Sequence, residues 1–315
     1  MVTTHDLGRG RKLRRFALAT LAYTLLVVLF GAVVRMTGSG SGCGEKWPHC
    51  PEPPAGDGIA RAIELSHRIT SGLSFLMVVA LAWAAHRWMP RGHLSRKAAT
   101  TSVGLMVMEV AIGAVLVLAA LVGSDDSVVR AIVMPAHLVN TSLLTGTLAV
   151  TAWGATSSRP VLRLPVDRKT WWGVVALTSI LVTSATGALT ALADTLYPLS
   201  TGEVLGHISG GIRRTAHFLH QLRLLHPVVA IAASTIVLAA AAGSADRQQS
   251  ASWRHWGRAA MTLVLAQLLV GFVNIWLSTP PWVQVLHLAL AQGLWLVLVM
   301  LVVDTAQQNM SRRDP

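Results

Sequence analysis

Charge is what this sequence has least of. Only 13% of its 315 residues are Asp, Glu, Lys or Arg, against roughly 25% in a soluble globular domain. That deficit excludes an ordinary water-soluble surface and points to one that faces lipid. Cysteine is nearly absent as well, with two residues, Cys43 and Cys50. No P-loop, zinc-binding motif, serine triad or Cys-x-x-Cys-His attachment sequence occurs. The glycines from Gly38 to Gly44 recur at every second position but follow an apolar run rather than a strand, so they lack the context of a dinucleotide-binding turn.

What is abundant is apolar sequence: 53% of the residues are hydrophobic, and the mean hydropathy is +0.54. Eight spans, at about 14–34, 65–86, 100–122, 130–152, 171–193, 224–243, 259–278 and 282–303, each approach the roughly 20 residues that cross a bilayer. The predicted fold is an all-α integral membrane protein. The net charge of +12 is distributed by topology. The N-terminal segment (Arg9, Arg11, Lys12, Arg14, Arg15), the 2–3, 4–5 and 6–7 loops and the C-terminus hold 18 of the 26 Lys and Arg residues, and the other side holds eight. The positive-inside rule then places both termini in the cytoplasm. The basic excess is no nucleic-acid footprint. The first span is too long for a signal peptide and leads into Arg35 rather than a small-residue cleavage site, so it is expected to be retained.

Four histidines decide the reading. His67, His137, His226 and His287 stand near the starts of spans 2, 4, 6 and 8, all entering from the outer side. Histidine inside a membrane helix is expensive and normally faces a bundle interior. The chain also repeats itself. Gly31-Ala32-Val33 matches Gly187-Ala188-Leu189, and His67 matches His226. Glu109 to Gly113 matches Gln267 to Gly271, and His137-Leu138 matches His287-Leu288. Two parallel four-helix units are predicted, residues 1–155 and 156–315, related by an axis along the membrane normal. Each would carry two inward histidines at one depth, able to clamp a flat macrocycle, most simply haem iron, bound noncovalently. His220 is a second choice for His226, and the spacing to Gly271 favours His226. Pro227 is expected in the helix's first turn, where proline is tolerated.

The halves differ. Glu64 lies three residues before His67, one turn outward on the same face, and the second half has Arg223 there. Glu64 could handle protons or steer a cationic intermediate, or pair with Arg61 or Arg68. Arg35 suits haem propionates, or snorkels to the interface. Cys43 and Cys50 share an outward loop, where a disulfide or a redox-active dithiol would both be permitted. Glu109, near mid-membrane, has no evident role. Trp47, Trp153, Trp171, Trp172, Trp253 and Trp282 fall at predicted interfaces, as an aromatic belt would.

Arg35-x-Thr37-x-Ser39-Gly40, Cys43-Gly44-x-x-Trp47-Pro48-x-Cys50 and Glu64-x-x-His67-Arg68, with His137, His226 and His287, resemble haem A synthase over nearly the whole chain. The second half departs where His226-Pro227 replaces a His-Arg pair often found in that family. The resemblance implies oxidation of the C8 methyl of haem O to the formyl of haem A, with oxygen from water. It implies haem O as substrate at His67 and His137, with Arg35 and Arg68 beside it, and haem b as cofactor at His226 and His287. Glu64 would be the catalytic acid, and Cys43 and Cys50 a disulfide. The plasma membrane, haem sites near its outer face, haem O synthase as partner, a quinone as candidate electron acceptor and a homo-oligomer are further expectations. Two rival readings stay open: a quinol-linked cytochrome b with two bis-histidine haems, and a transporter built from parallel repeats.

Overall fold

In lipid the backbone must satisfy its own polar groups, and a long apolar segment does so as a helix. The computed structural model describes residues 4–51, 58–157, 168–198, 218–242 and 250–313. Among the described residues there are eight long helices and no strand: α1 (Thr4–Met36), α2 (Gly58–Trp88), α3 (Leu94–Leu118), α4 (Val128–Gly154), α5 (Arg168–Leu196), α6 (Phe218–Ala241), α7 (Ala251–Trp276) and α8 (Pro281–Arg313). All eight are long and apolar enough to cross a membrane. Ser127 and Ser250 cap α4 and α7 by accepting the N–H groups of Arg130 and Trp253, the hydroxyl-to-backbone bond that starts many helices.

Most helices extend beyond the apolar spans read from sequence, and one extension matters. Helix α6 begins at Phe218, six residues before the predicted span, so Pro227 lies in its third turn rather than its first. Pro135 is likewise internal to α4, two residues before His137. Membrane helices tolerate internal proline where neighbouring groups re-satisfy the freed backbone. His207, His217, the side chain of His220, and Arg159, Arg163, Arg213, Arg214 and Arg247 lie outside the described residues.

Helix neighbours follow the same order in each half. In the first, α1 packs on α2 and α4, and α3 packs on α2 and α4. In the second, α5 packs on α6 and α8, and α7 packs on α6 and α8. One apolar core joins Leu13, Leu81, Ala99 and Leu148 of α1–α4. Another joins Ile180, Val237, Val264 and Leu298 of α5–α8. The seam between them brings α4 against α5 and α8, and α1 against α8. There Trp295 Nε1 donates to the Ser142 carbonyl and Thr145 donates to Gln292 Oε1. Gly146 lets the indole approach, since a Cβ on it would stand 3.1 Å from Trp295 Nε1.

Leu26, Leu76, Trp83, Ile132 and Leu269 are exposed and do not border the central cavity, as lipid-facing positions should be. Trp171 and Trp282 are exposed too, in keeping with a belt. Trp253 is not: it is buried, and its Nε1 donates to Thr305. That polar partner, available on α8, is what lets an indole enter the core.

Candidate functional site

Each of the four histidines sits in the second or third turn of its helix and packs on a glycine of the preceding one. A Cβ on Gly31 would stand 3.2 Å from His67 Cε1, and one on Gly187 3.0 Å from His226 Cε1. The corresponding distances are 4.0 Å from Gly113 to His137 Cε1 and 3.2 Å from Gly271 to His287 Cε1. Glycine is therefore a packing requirement at three of these places, because a methyl group would displace the imidazole. The glycines that mark the sequence repeat are the ones that seat the histidines.

All four histidines line one cavity of about 1070 Å³ that touches all eight helices. In the second half the ring centroids of His226 and His287 are 6.4 Å apart, with planes at 83°. Two imidazoles binding one ion from opposite sides through metal–nitrogen bonds of about 2 Å need a span close to this. Thr186 Oγ1 lies 3.1 Å from His226 Nδ1. In the first half Phe30 meets His67 edge-on at 5.6 Å between centroids. The Nδ1 atoms of His67, His137 and His287 are buried and find no hydrogen-bond partner among the described residues. Among the described residues no group of three or more His, Cys, Asp or Glu converges on a point. The structure offers pairs, and pairs suit an iron whose other ligands come from a macrocycle.

Above His67 the first half is closed by the cysteine loop. Cys43 and Cys50 form a disulfide, and the loop is fastened to α2. Glu64 Oε2 accepts the Cys43 N–H at 2.7 Å, while Arg68 Nη2 donates to Glu64 Oε1 at 2.6 Å. Arg68 also reaches the carbonyls of Lys46 and His49, and Arg61 those of Cys50 and Pro51. Gly42 allows the close approach: a Cβ there would stand 2.4 Å from the Ala60 carbonyl carbon. Glu64 is only 3% exposed yet lines the cavity. Of the two arginines weighed as its partner, Arg68 holds the carboxylate and Arg61 holds the loop.

Arg35 also lines the cavity, but its guanidinium bridges the halves. Its Nη1 donates to the Ala191 carbonyl and to Thr195 Oγ1 of α5. Its Nη2 donates to Gln284 Oε1 of α8 at 2.9 Å. Three cavity residues that sequence reading passed over or left unassigned stand nearby. Asp194 Oδ1 lies 3.0 Å from Arg223 Nε, and Arg223 also donates to the carbonyls of Ala193 and Tyr197. Arg130 is buried, donating to the carbonyls of Gly123 and Asp125. Tyr197, just beyond α5, donates to Asp126, and that hydrogen bond holds its phenol above the ordinary pKa. No local motif announces this cluster, because its members come from four helices and meet only in three dimensions.

Glu109 is engaged as well. Its carboxylate accepts from Asn140 and Thr141 and lies 3.5 Å from His137 Nε2. At the equivalent place Gln267 Nε2 lies 3.2 Å from His287 Nε2 and donates to the His287 carbonyl.

Residues 14–55 and 59–299 match the family described as COX15-CtaA, cytochrome oxidase assembly protein. The chain is 39% identical over 307 residues to the protoheme IX farnesyltransferase of Thermus thermophilus, a match covering 96% of this chain and 50% of that protein. It is 29% identical over 303 residues to the heme A synthase of Symbiobacterium thermophilum, covering 91% and 94%. With the heme A synthase of Staphylococcus carnosus it shares 26% identity, covering 89% of each. The chain thus spans about half the length of the Thermus relative it matches. Since the family match runs through both halves and includes all four histidines, the chain belongs to the COX15-CtaA family of cytochrome oxidase assembly proteins, the haem A synthase family.

Proposed function

We propose that this chain is a membrane oxidoreductase that converts haem O into haem A. The observation that carries the reading is the pairing of four glycine-seated histidines in one cavity with an acid, Glu64, beside one pair only. The match to heme A synthases along nearly their whole length supports it over the name of the Thermus relative, half of which this chain does not match.

In this reading residues 1–155 form the substrate unit and residues 156–315 the cofactor unit. His67 and His137 would hold haem O in the part of the cavity that Glu64 also lines. His226 and His287 hold haem b, which supplies one-electron carrier chemistry when bound. Each hydroxylation of the methyl takes oxygen from water and releases two electrons and two protons, and loss of water from the second product leaves the formyl group. Glu64 is fixed by Cys43 N–H and Arg68, so its charge is in place before positive charge develops on the substrate edge. A charge that needs no reorganisation stabilises a transition state most effectively. The same carboxylate accepts the proton of the attacking water. Arg35 and Arg68 border the substrate, and the apolar cavity wall keeps other water away.

The unit sits in the plasma membrane with both termini cytoplasmic and the histidines near the outer face. Haem O synthase is the partner that supplies substrate, and a quinone is the class of acceptor that takes the electrons. The test is extraction and chromatography of haems from protein expressed with a haem O synthase. Wild type yields haem A, and Glu64→Gln accumulates haem O or a hydroxylated intermediate. Haem A at the normal rate from Glu64→Gln would remove the acid from the mechanism. Haem B alone in both would favour the electron-transfer cytochrome.

A further inference from the structure

Glu109 and Gln267 occupy the same place in the two halves. Each stands on the third helix of its unit, four residues before the glycine that faces a histidine of the fourth helix: Gly113 before His137, and Gly271 before His287. Each polar head meets that histidine's Nε2, at 3.5 Å for the Glu109 carboxylate and 3.2 Å for the Gln267 amide. The two residues are close in shape and differ by a charge.

The surroundings hold that difference in place. Asn140 Nδ2 donates to Glu109 Oε2, and Thr141 Oγ1 donates to Oε1. Both donors come from α4, three and four residues after His137, so the helix that carries the histidine also fixes the carboxylate. Asn140 is itself tied to the Leu105 carbonyl of α3. Gln267 is fixed differently, through the carbonyl of His287. Neither arrangement is needed merely to fill space, since a leucine would do so without polar partners.

We propose that Glu109 is a positioning residue that sets the first half apart electronically, placing a negative charge beside His137 where Gln267 gives His287 only a neutral dipole. The inference rests on the reading that the histidine pairs hold haem. A negative charge near iron in a low-dielectric cavity favours the ferric state. It lowers the reduction potential of the first site relative to the same site with an amide, which assists removal of electrons from the half that carries Glu64.

The test is a spectroelectrochemical titration of the whole purified protein loaded with protohaem. The two signals are assigned by their loss in His137→Ala and His287→Ala. Glu109→Gln is expected to shift the first site's potential upward and leave the second unmoved. Gln267→Glu is expected to shift the second site's potential downward and leave the first unmoved. Potentials unmoved in both variants would overturn the proposal. So would Glu109→Gln that sheds its haem while Gln267→Glu leaves the second potential unchanged, since the carboxyl would then be a structural support only. A wild-type spectrum unaltered by His137→Ala would overturn the haem reading itself, and is distinguishable because it precedes any measurement on Glu109.

Discussion

Arg35 of α1 and Gln284 of α8 meet at 2.9 Å across the seam, joining residues 249 apart in sequence. Arg35 follows the glycine that seats His67 by one turn, and Gln284 precedes His287 by one turn. The bond therefore links the two histidine pairs as well as the two halves. Gln284 is held in turn by donating to the Thr279 carbonyl at 2.7 Å.

Because each single substitution already breaks this link, losing both side chains should destabilise the assembly by less than the sum of the two single losses. A double-mutant cycle with Arg35→Ala and Gln284→Ala, read by thermal unfolding in detergent, is expected to give a coupling of about 0.5–3 kcal/mol. Strict additivity would mean that the two groups are neighbours without being partners.

The glycine seats make a sharper prediction. Gly187→Ala would push a methyl to 3.0 Å from His226 Cε1, so the imidazole must move. Haem binding by the second half should weaken by about tenfold or more, as for other disturbances next to a metal ligand. Gly104→Ala is the control: nothing lies within 4 Å of a Cβ there. Alanine favours the helix by about 1 kcal/mol, so that variant should bind haem normally. Equal haem-to-protein ratios in both variants would refute the seat.

Opening the Cys43–Cys50 disulfide should act on Glu64 rather than on the bundle. The ring spans a sequence separation of seven, and closing a ring of this size stabilises a loop by about 2–3 kcal/mol. Its release frees the Cys43 N–H from the carboxylate. Reductant is expected to lower haem A output sharply while leaving the visible spectrum of the second half intact. Unchanged output in fully reduced protein would show that Arg68 alone is sufficient to hold Glu64.

A pH effect is expected at the opposite end of the molecule. His93 caps α3 through Nδ1, which accepts the Ser95 N–H at 3.1 Å. Burial lowers its pKa from the ordinary 6.5. The unfolded chain therefore takes up a proton before the folded one does. The stabilisation is complete above about 6.5 and declines as the pH falls through the folded value. The melting temperature should drop on acidification below neutrality, and His93→Asn, which keeps an acceptor at the cap, should flatten that dependence. A profile identical to wild type would place the titrating group elsewhere.

Much of this architecture could be read from the chain because lipid leaves so few choices. The eight helices are legible from apolar length. The glycines served as alignment marks, although their purpose as seats emerges only when α1 meets α2 and α5 meets α6. The start of α6 is hard to place from sequence because Phe218 to Arg223 mixes apolar with polar residues and falls below the hydropathy of a span. The helix nevertheless continues there, with Leu219 buried and Arg223 paired to Asp194. Asp194, Arg130 and the contact of Glu109 with His137 were hidden for a different reason. Tertiary ion pairs leave no periodic trace, and a lone carboxyl in an apolar run reads the same whether it is partnered or stranded.

A cavity of about 1070 Å³ bordered by every helix leaves the bundle short of its own interior. Whatever fills it becomes part of the core, so binding free energy is also folding free energy. The melting temperature then doubles as a gauge of occupancy, rising in steps as first one half and then the other is filled. On the proposed reading that the occupant is haem, protein purified without it should melt lower than the loaded protein.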